Sequence, residues 1–339
     1  MKTMKPLAAL TLLVQLAAGD TTPRERVVFQ GNKGPGAGKH IVFLTGDEEY
    51  RSEEAGVALA RILAVRHGFK CTVLFAIDPA DGSINPVIPN NIPGMEALDS
   101  ADLCVVNLRF RELPDDQMKH FVAYVNSGKP LIGLRTATHA FNYVKDKQGP
   151  YAKYSFNNKE WPGGFGQQVL GETWVNHHGQ HGVQSTRGIL NDEFKNHPML
   201  RGVTDIWGPT DVYTVSHLGK DAKVLVWGQV LSGMKPTDPP LKDDPEKKND
   251  PMMPLVWTRE YTGENGKTSK VVTTTMGAAI DLESEGLRRL LINSCYWTLG
   301  LGDKIAPTSD VSPVGEFKPL SFGFGKHRKG VRPVDLEMK

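Results

Sequence analysis

Residues 129–141, KPLIGLRTATHAF, decide the fold. The apolar run Pro130 to Leu134 stops abruptly at Arg135, Thr136, Thr138 and His139. A short apolar stretch bounded by a turn reads as a strand buried on both faces. In an open α/β sheet, ligands bind outside the carboxyl ends of such strands, so the polar residues found there are the first candidates for chemistry. Several α/β hydrolytic folds place a nucleophilic Ser or Cys at this position, on a tight strand-to-helix turn. This turn has neither.

The same pattern recurs on both sides. His40 to Leu44, Cys71 to Ala76 and Leu103 to Asn107 read as strands. Between them lie two helical patterns, one from Ser52 to about His67 with Glu53 and Glu54 in its first turn, the other from Pro114 to Ser127. Strands alternating with helices predict an α/β fold whose mainly parallel, doubly wound sheet is covered on both faces. Further on, Val212 to Ser216, Lys223 to Gln229, Leu255 to Tyr261 and Val271 to Met276 read as strands, and Glu283 to Leu299 as a closing amphipathic helix. Residues 143–182 interrupt the alternation with aromatics and glycines, and they are too aromatic for disorder. Gly233 to Asp250, rich in Pro, Asp and Lys, reads as a solvated loop.

The ends have their own signatures. Lys2 and Lys5 precede the apolar run Pro6 to Ala18 and the small residues Ala17-Ala18-Gly19, which is the layout of a secretory signal. The run is shorter than the roughly 20 residues a spanning helix needs. The alternative is a buried N-terminal helix. The expected organisation is a signal at 1–19, a linker at 20–38, one domain at 39–302 and a C-terminal tail at 303–339. The tail carries basic residues between Lys326 and Arg332 and is expected to pack peripherally or stay mobile. On this reading the mature protein is exported, periplasmic or extracellular, and has no membrane partner. Gly34-Pro35-Gly36-Ala37-Gly38-Lys39 looks like a phosphate loop but precedes a strand and ends in Lys39-His40, so it is read as linker.

Of 339 residues, 39% are hydrophobic and 23% charged, ordinary values for a globular domain. The formal charge of +2 is matched by the two signal lysines, so nucleic acid is not an expected partner. Cys71, Cys104 and Cys295 lie in apolar segments with no CxxC pair and read as core thiols, with a single Cys71–Cys104 bridge as the alternative.

Mapping strand ends onto one rim collects Asp47, Glu48, Glu49, Tyr50 and Arg51, then Arg109 and Arg111, then Arg135, Thr138 and His139. Such a rim suits a polar, hydroxyl-rich or anionic small molecule: arginines offer paired donors, and carboxylates accept hydrogen bonds or exchange protons. Glu53 and Glu54 read as helix N-terminal charges, whereas Glu48 and Glu49 fit either role. His177, His178 and His181 concentrate imidazole within the insertion. They fit a divalent metal site, acid/base or hydrogen-bonding groups in the pocket, or structural roles. Adjacent residues of an extended segment point to opposite faces, so His177 and His178 share an ion only if the segment is looped. No HExxH motif supports zinc, and no cofactor is assigned. Trp161, Phe165 and Trp174 serve either as a platform for a sugar ring or as packing.

Six segments in order, IVFLTGDEEYRSEE, PLIGLRTATHAF, GGFG, NHPMLRGV, PLVWTREY and RRLLINSCYWTLG, resemble the ThuA-like, or trehalose-utilisation-like, family over roughly Lys39 to Gly302. The resemblance implies a flavodoxin-like, class I glutamine amidotransferase-like three-layer fold and a place in bacterial carbohydrate metabolism. Members often carry a His after the first strand and a Gly-His pair after the last, where this chain has Tyr50 and Gly277-Ala278. Without a Cys on the turn after Leu134, glutaminase chemistry is not expected. The resulting expectation is acid/base chemistry, isomerisation or hydrolysis, on a sugar or keto-sugar. His139, His178 or Glu49 would shuttle the proton, and Asp47, Tyr50, Arg109, Arg135, Thr138 and Trp174 would hold the substrate. The alternatives are a carbohydrate-binding protein without activity and a metal-dependent hydrolase built on the histidines.

Overall fold

The computed structural model describes residues 25–242 and 244–338, so the segment read as an export signal lies outside the described residues. Among the described residues, ten strands build one sheet: β1 Arg26–Gln30, β2 His40–Gly46, β3 Lys70–Leu74, β4 Leu103–Leu108, β5 Leu131–Leu134, β6 Thr186–Leu190, β7 Ile206–Gly208, β8 Lys223–Val230, β9 Met253–Thr262 and β10 Thr268–Thr274. Their order is β1-β3-β2-β4-β5-β10-β9-β8-β6-β7. The helices are α1 Ser52–His67, α2 Asp115–Val125 and α3 Glu285–Thr298.

The α/β class and the buried central strands agree with the sequence, but the sheet is mixed rather than mainly parallel. β3, β2, β4, β5 and β10 run parallel. β1 and the wing β9-β8-β6-β7 pair antiparallel. The reason is connection length. A parallel neighbour needs a crossover of a dozen residues or more, and the short 263–267 loop allows β9 and β10 only a hairpin. Within residues 20–38, which read as a linker, Val27 and Phe29 are buried and put β1 on the sheet edge, Phe29 opposite Cys71. The predicted strand at Val212 to Ser216 is instead an irregular segment tied to the insertion by a bridge between His177 and Tyr213.

The core lies on both faces. α1 and α3 cover one, where Ile62, Leu63, Leu287, Leu290 and Leu291 pack on Phe43, Val73 and Val272. Each such buried side chain contributes about 1.5–3 kcal/mol. α2 covers the other together with the insertion: Met118, Phe121 and Val125 meet Val42, Val106, Phe141 and Phe165. The three cysteines are free and buried in these layers. β3 and β4 lie on opposite sides of β2. The chain therefore reverses its winding there and opens a crevice at the carboxyl ends of β2 and β4, the customary ligand position in open α/β sheets.

Candidate functional site

The loop after β2 is folded around its own aspartate. Asp47 is fully buried, and its Oδ1 accepts the backbone N–H groups of Glu49 and Tyr50 at 2.8 and 3.0 Å, a turn that aspartate stabilises well. Its Oδ2 accepts the Thr136 hydroxyl at 2.7 Å, which ties this loop to the turn after β5. Ser52 Oγ accepts the N–H groups of Gly46 and Asp47, both at 3.0 Å. Asp47 thus holds loops together rather than facing a ligand. Glu48 pairs with Arg109, and with buried Arg111 at 2.9 Å. Arg111 also donates to the carbonyls of Pro86, Ile88 and Arg109, so it anchors Glu48 and is not free for substrate. Arg109 lies 3.6 Å from Glu49.

The turn after β5 is sharp and carries an arginine at its strained position. Arg135 has φ 39°, in the left-handed region that non-glycine residues rarely occupy. Its side chain is fully buried between the rings of Tyr50 and Tyr213, at 4.1 and 4.3 Å. It donates to the carbonyls of Asp211 and Thr275 at 3.1 and 2.8 Å and to the Asp211 carboxylate at 2.9 Å. Arg135 is therefore a positioning group. The Thr138 hydroxyl lies 3.1 Å from His139 Nδ1. Phe110, Phe156, Trp174 and Tyr213 surround the His139 ring. Burial, reinforced by Arg109 and Arg135, holds this imidazole well below its usual range, so it is neutral.

The insertion supplies the rest. Glu172 accepts the backbone N–H of Thr173 at 2.9 Å and that of His217 at 2.7 Å. The N–H groups of His178 and Gly179 donate to the Val212 carbonyl. These bonds press residues 172–181 against residues 210–217, and the imidazoles diverge. His178 Nε2 meets the Lys248 carbonyl at 2.7 Å, away from the cluster. His177 turns toward Asp211, its Nδ1 2.7 Å from Oδ2, while His181 Nδ1 lies 3.0 Å from Oδ1. His181 Nε2 is 3.3 Å from Glu49. Hydrogen bonds to Asp211 and then to Glu49 raise the His181 imidazole to about 9, against the effect of its burial, so it is charged at neutral pH. Burial alone would raise the Asp211 carboxyl, but Arg135 and the two histidines outweigh it and hold the group well below the carboxylate range.

Glu49, Tyr50, Arg109, Arg135, Thr138, His139, Trp174, His177 and His181 therefore meet in one place, whereas His178 does not. Trp174 bridges two of the imidazoles, 5.6 Å from His139 and 5.8 Å from His177 between ring centroids. Asp211, at the centre of the cluster, and Tyr213 are not singled out by the sequence. Tyr213 lies in the stretch Val212 to Ser216 that reads as a strand and Asp211 directly precedes it, and nothing in their spacing links them to His177 some thirty residues earlier. A separate cavity of about 290 Å³ lies between α1 and residues 313–336. Val57, Ala58, Ile84, Val314 and Phe317 make its apolar walls, and Glu53, Glu54, Arg61 and Arg328 line it as well, with burial raising the Glu53 carboxyl to about 7.

A family model described as ThuA, trehalose utilisation, matches residues 40–298. Among solved structures, a ThuA-like protein from Parabacteroides merdae is 16% identical over 77% of this chain and 90% of its own, with a TM-score of 0.49. A ThuA-like protein from Bacteroides uniformis is also 16% identical, over 78% of this chain and 92% of its own, with a TM-score of 0.45. Comparison with curated proteins gives no match.

Proposed function

Since the chain belongs to the ThuA, trehalose-utilisation, family, we propose that it binds a sugar or oxidised sugar derivative at the imidazole cluster and transfers protons on it. One arrangement carries this reading: a buried Asp211, fixed by Arg135, with His177 and His181 on its two oxygens. A carboxylate on Nδ1 sets the ring orientation and the tautomer and leaves Nε2 to exchange a proton with a ligand. His177 is held this way with its side chain 32% exposed. On a keto-sugar, His177 Nε2 takes a proton from the carbon beside the carbonyl. The charged His181 and Arg109 stabilise the oxyanion that develops. Return of the proton to the former carbonyl carbon, with the hydroxyl proton moving between the two oxygens, completes an isomerisation. Glu49 keeps His181 charged, and neutral His139 with Trp174 forms the wall behind the substrate. Residues 1–19 make this an exported activity in the same proposal, carried by the domain at 39–302.

Solvent exchange tests it. Incubated in D₂O with a keto-disaccharide, the protein is expected to place deuterium next to the carbonyl, followed by proton NMR. Loss of the base in His177→Ala is expected to slow this by roughly 10²- to 10⁴-fold. Binding by the intact protein with no exchange between pH 6 and 9 would leave a carbohydrate-binding protein without this activity.

A second reading rests on a separate observation. Ligand atoms of His177, His181 and Asp211 all lie within 4.8 Å of one another, close enough to share a divalent cation. A metal there would have to displace the His181 proton and share Asp211 with Arg135, so its affinity would rise with pH. Elemental analysis of the purified protein separates the two: a stoichiometric transition metal favours the metal-dependent hydrolase.

A further inference from the structure

The C-terminal segment reaches the site although it lies beyond the family match, which ends at residue 298. Gly323 donates its N–H to the Glu49 carbonyl at 2.7 Å and accepts from Arg51 Nη2 at 2.8 Å. Two aromatics flank this anchor. The Phe322 ring packs on Tyr50 and His181, with centroids 5.7 and 5.2 Å apart. The Phe324 ring lies 5.1 Å from the Arg109 guanidinium and remains 61% exposed. Gly323 and Gly325 have φ of 126° and 70°, a backbone that side-chain-bearing residues resist, so the sequence Phe-Gly-Phe-Gly is what lets this segment turn in and out over the site.

Phe324 sets an aromatic ring open to solvent beside the Arg109 guanidinium, an apolar and a hydrogen-bonding surface side by side. Two positive-φ glycines and two backbone hydrogen bonds hold it beside Arg109. A sugar ring complements both surfaces at once: an apolar face of C–H groups that lies flat on an aromatic ring, and edge hydroxyls that accept from a guanidinium. We propose that residues 321–325 complete the substrate site, with Phe324 as the stacking platform for a pyranose ring whose hydroxyls are held by Arg109. Phe322 fixes the platform by packing on His181 and Tyr50. The segment thereby sets specificity for ligands that extend outward past Arg109, such as disaccharides. This inference rests on the carbohydrate reading of the imidazole cluster.

The test is isothermal titration of the full chain with trehalose and with a keto-disaccharide. For whichever sugar binds the wild type, Phe324→Ala is expected to weaken binding about tenfold. Phe324→Trp, which preserves a stacking face, is expected to restore it. Circular dichroism and light scattering on each variant report folding and oligomeric state. Unchanged affinity in Phe324→Ala overturns the platform while leaving the carbohydrate site intact. A change of oligomeric state with unchanged affinity also overturns it and makes Phe324 a subunit contact. No binding of either sugar by the wild type removes the carbohydrate reading itself, and the platform falls with it.

Discussion

Asp211 shows how one buried carboxylate organises three partners. It accepts from Arg135 and is shared by His177 and His181, and together these partners more than compensate its desolvation. The electrostatic consequence falls on His181, whose imidazole is raised to about 9 by Asp211 and Glu49. Because its folded value lies above the ordinary 6.5, its contribution to stability is complete below that value and is lost as pH rises through about 9. His139 acts in the opposite sense: buried neutral, it lowers stability as pH falls below the ordinary imidazole range. We expect a His181 resonance titrating well above neutrality in an imidazole NMR series, and a return toward 6.5 in Asp211→Asn. A His181 that titrates near 6.5 in the wild type would mean the bridge between the two carboxylates is not held in solution.

At the scale of elements, the site is a meeting of turns, and the fit between them is tight. The turn Arg135–His139 after β5 is backed by a single π-helical turn, Gly166–Leu170, from the insertion. The contact leaves no room for a side chain: a Cβ on Gly166 would lie 2.0 Å from the Thr138 carbonyl oxygen and 2.9 Å from that of Glu172. Both obstacles are backbone, and both belong to segments that position site residues. Gly166→Ala is therefore expected to destabilise the fold by about 3 kcal/mol or more and to disturb the site with it. Urea denaturation measures the first effect and sugar titration the second. A stability within about 0.5 kcal/mol of wild type would show that the two turns can part without cost.

For the molecule as a whole, the C-terminal segment is a structural part of the domain's surface. Ile305 and Val311 are buried in the core shared by α1 and α3. Arg288 donates to the Val311 carbonyl at 2.9 Å, Arg289 to that of Ser309 at 2.8 Å, and His67 Nε2 lies 2.9 Å from the Asp310 carbonyl. Removing residues 303–339 strips two core side chains and orphans buried donors, each worth about 1–3 kcal/mol. We expect a melting temperature lower by roughly 10 °C, read by differential scanning calorimetry. An unchanged value would show that the segment does not dock in solution.

The sequence alone determined the α/β class, the central strands β2, β4 and β5, helices α1 and α3, and the absence of a nucleophile on the turn at Arg135. Local sequence reports these because each central strand is a short apolar run buried on both faces, whereas α1 and α3 are longer segments buried over most of their surface. The family also was legible, through six short segments in order. The mixed sheet was not, because strand direction depends on how neighbours pair after the chain returns. Nor was the working centre of the site. Glu49, His177 and Asp211 are far apart in sequence, and His178 is as good an imidazole as His177 until the fold turns one toward Asp211 and the other toward Lys248. A side chain's charge state follows from burial and partners, and those exist only once the loops after β2 and β5, the insertion and the tail have been brought to one edge of the sheet.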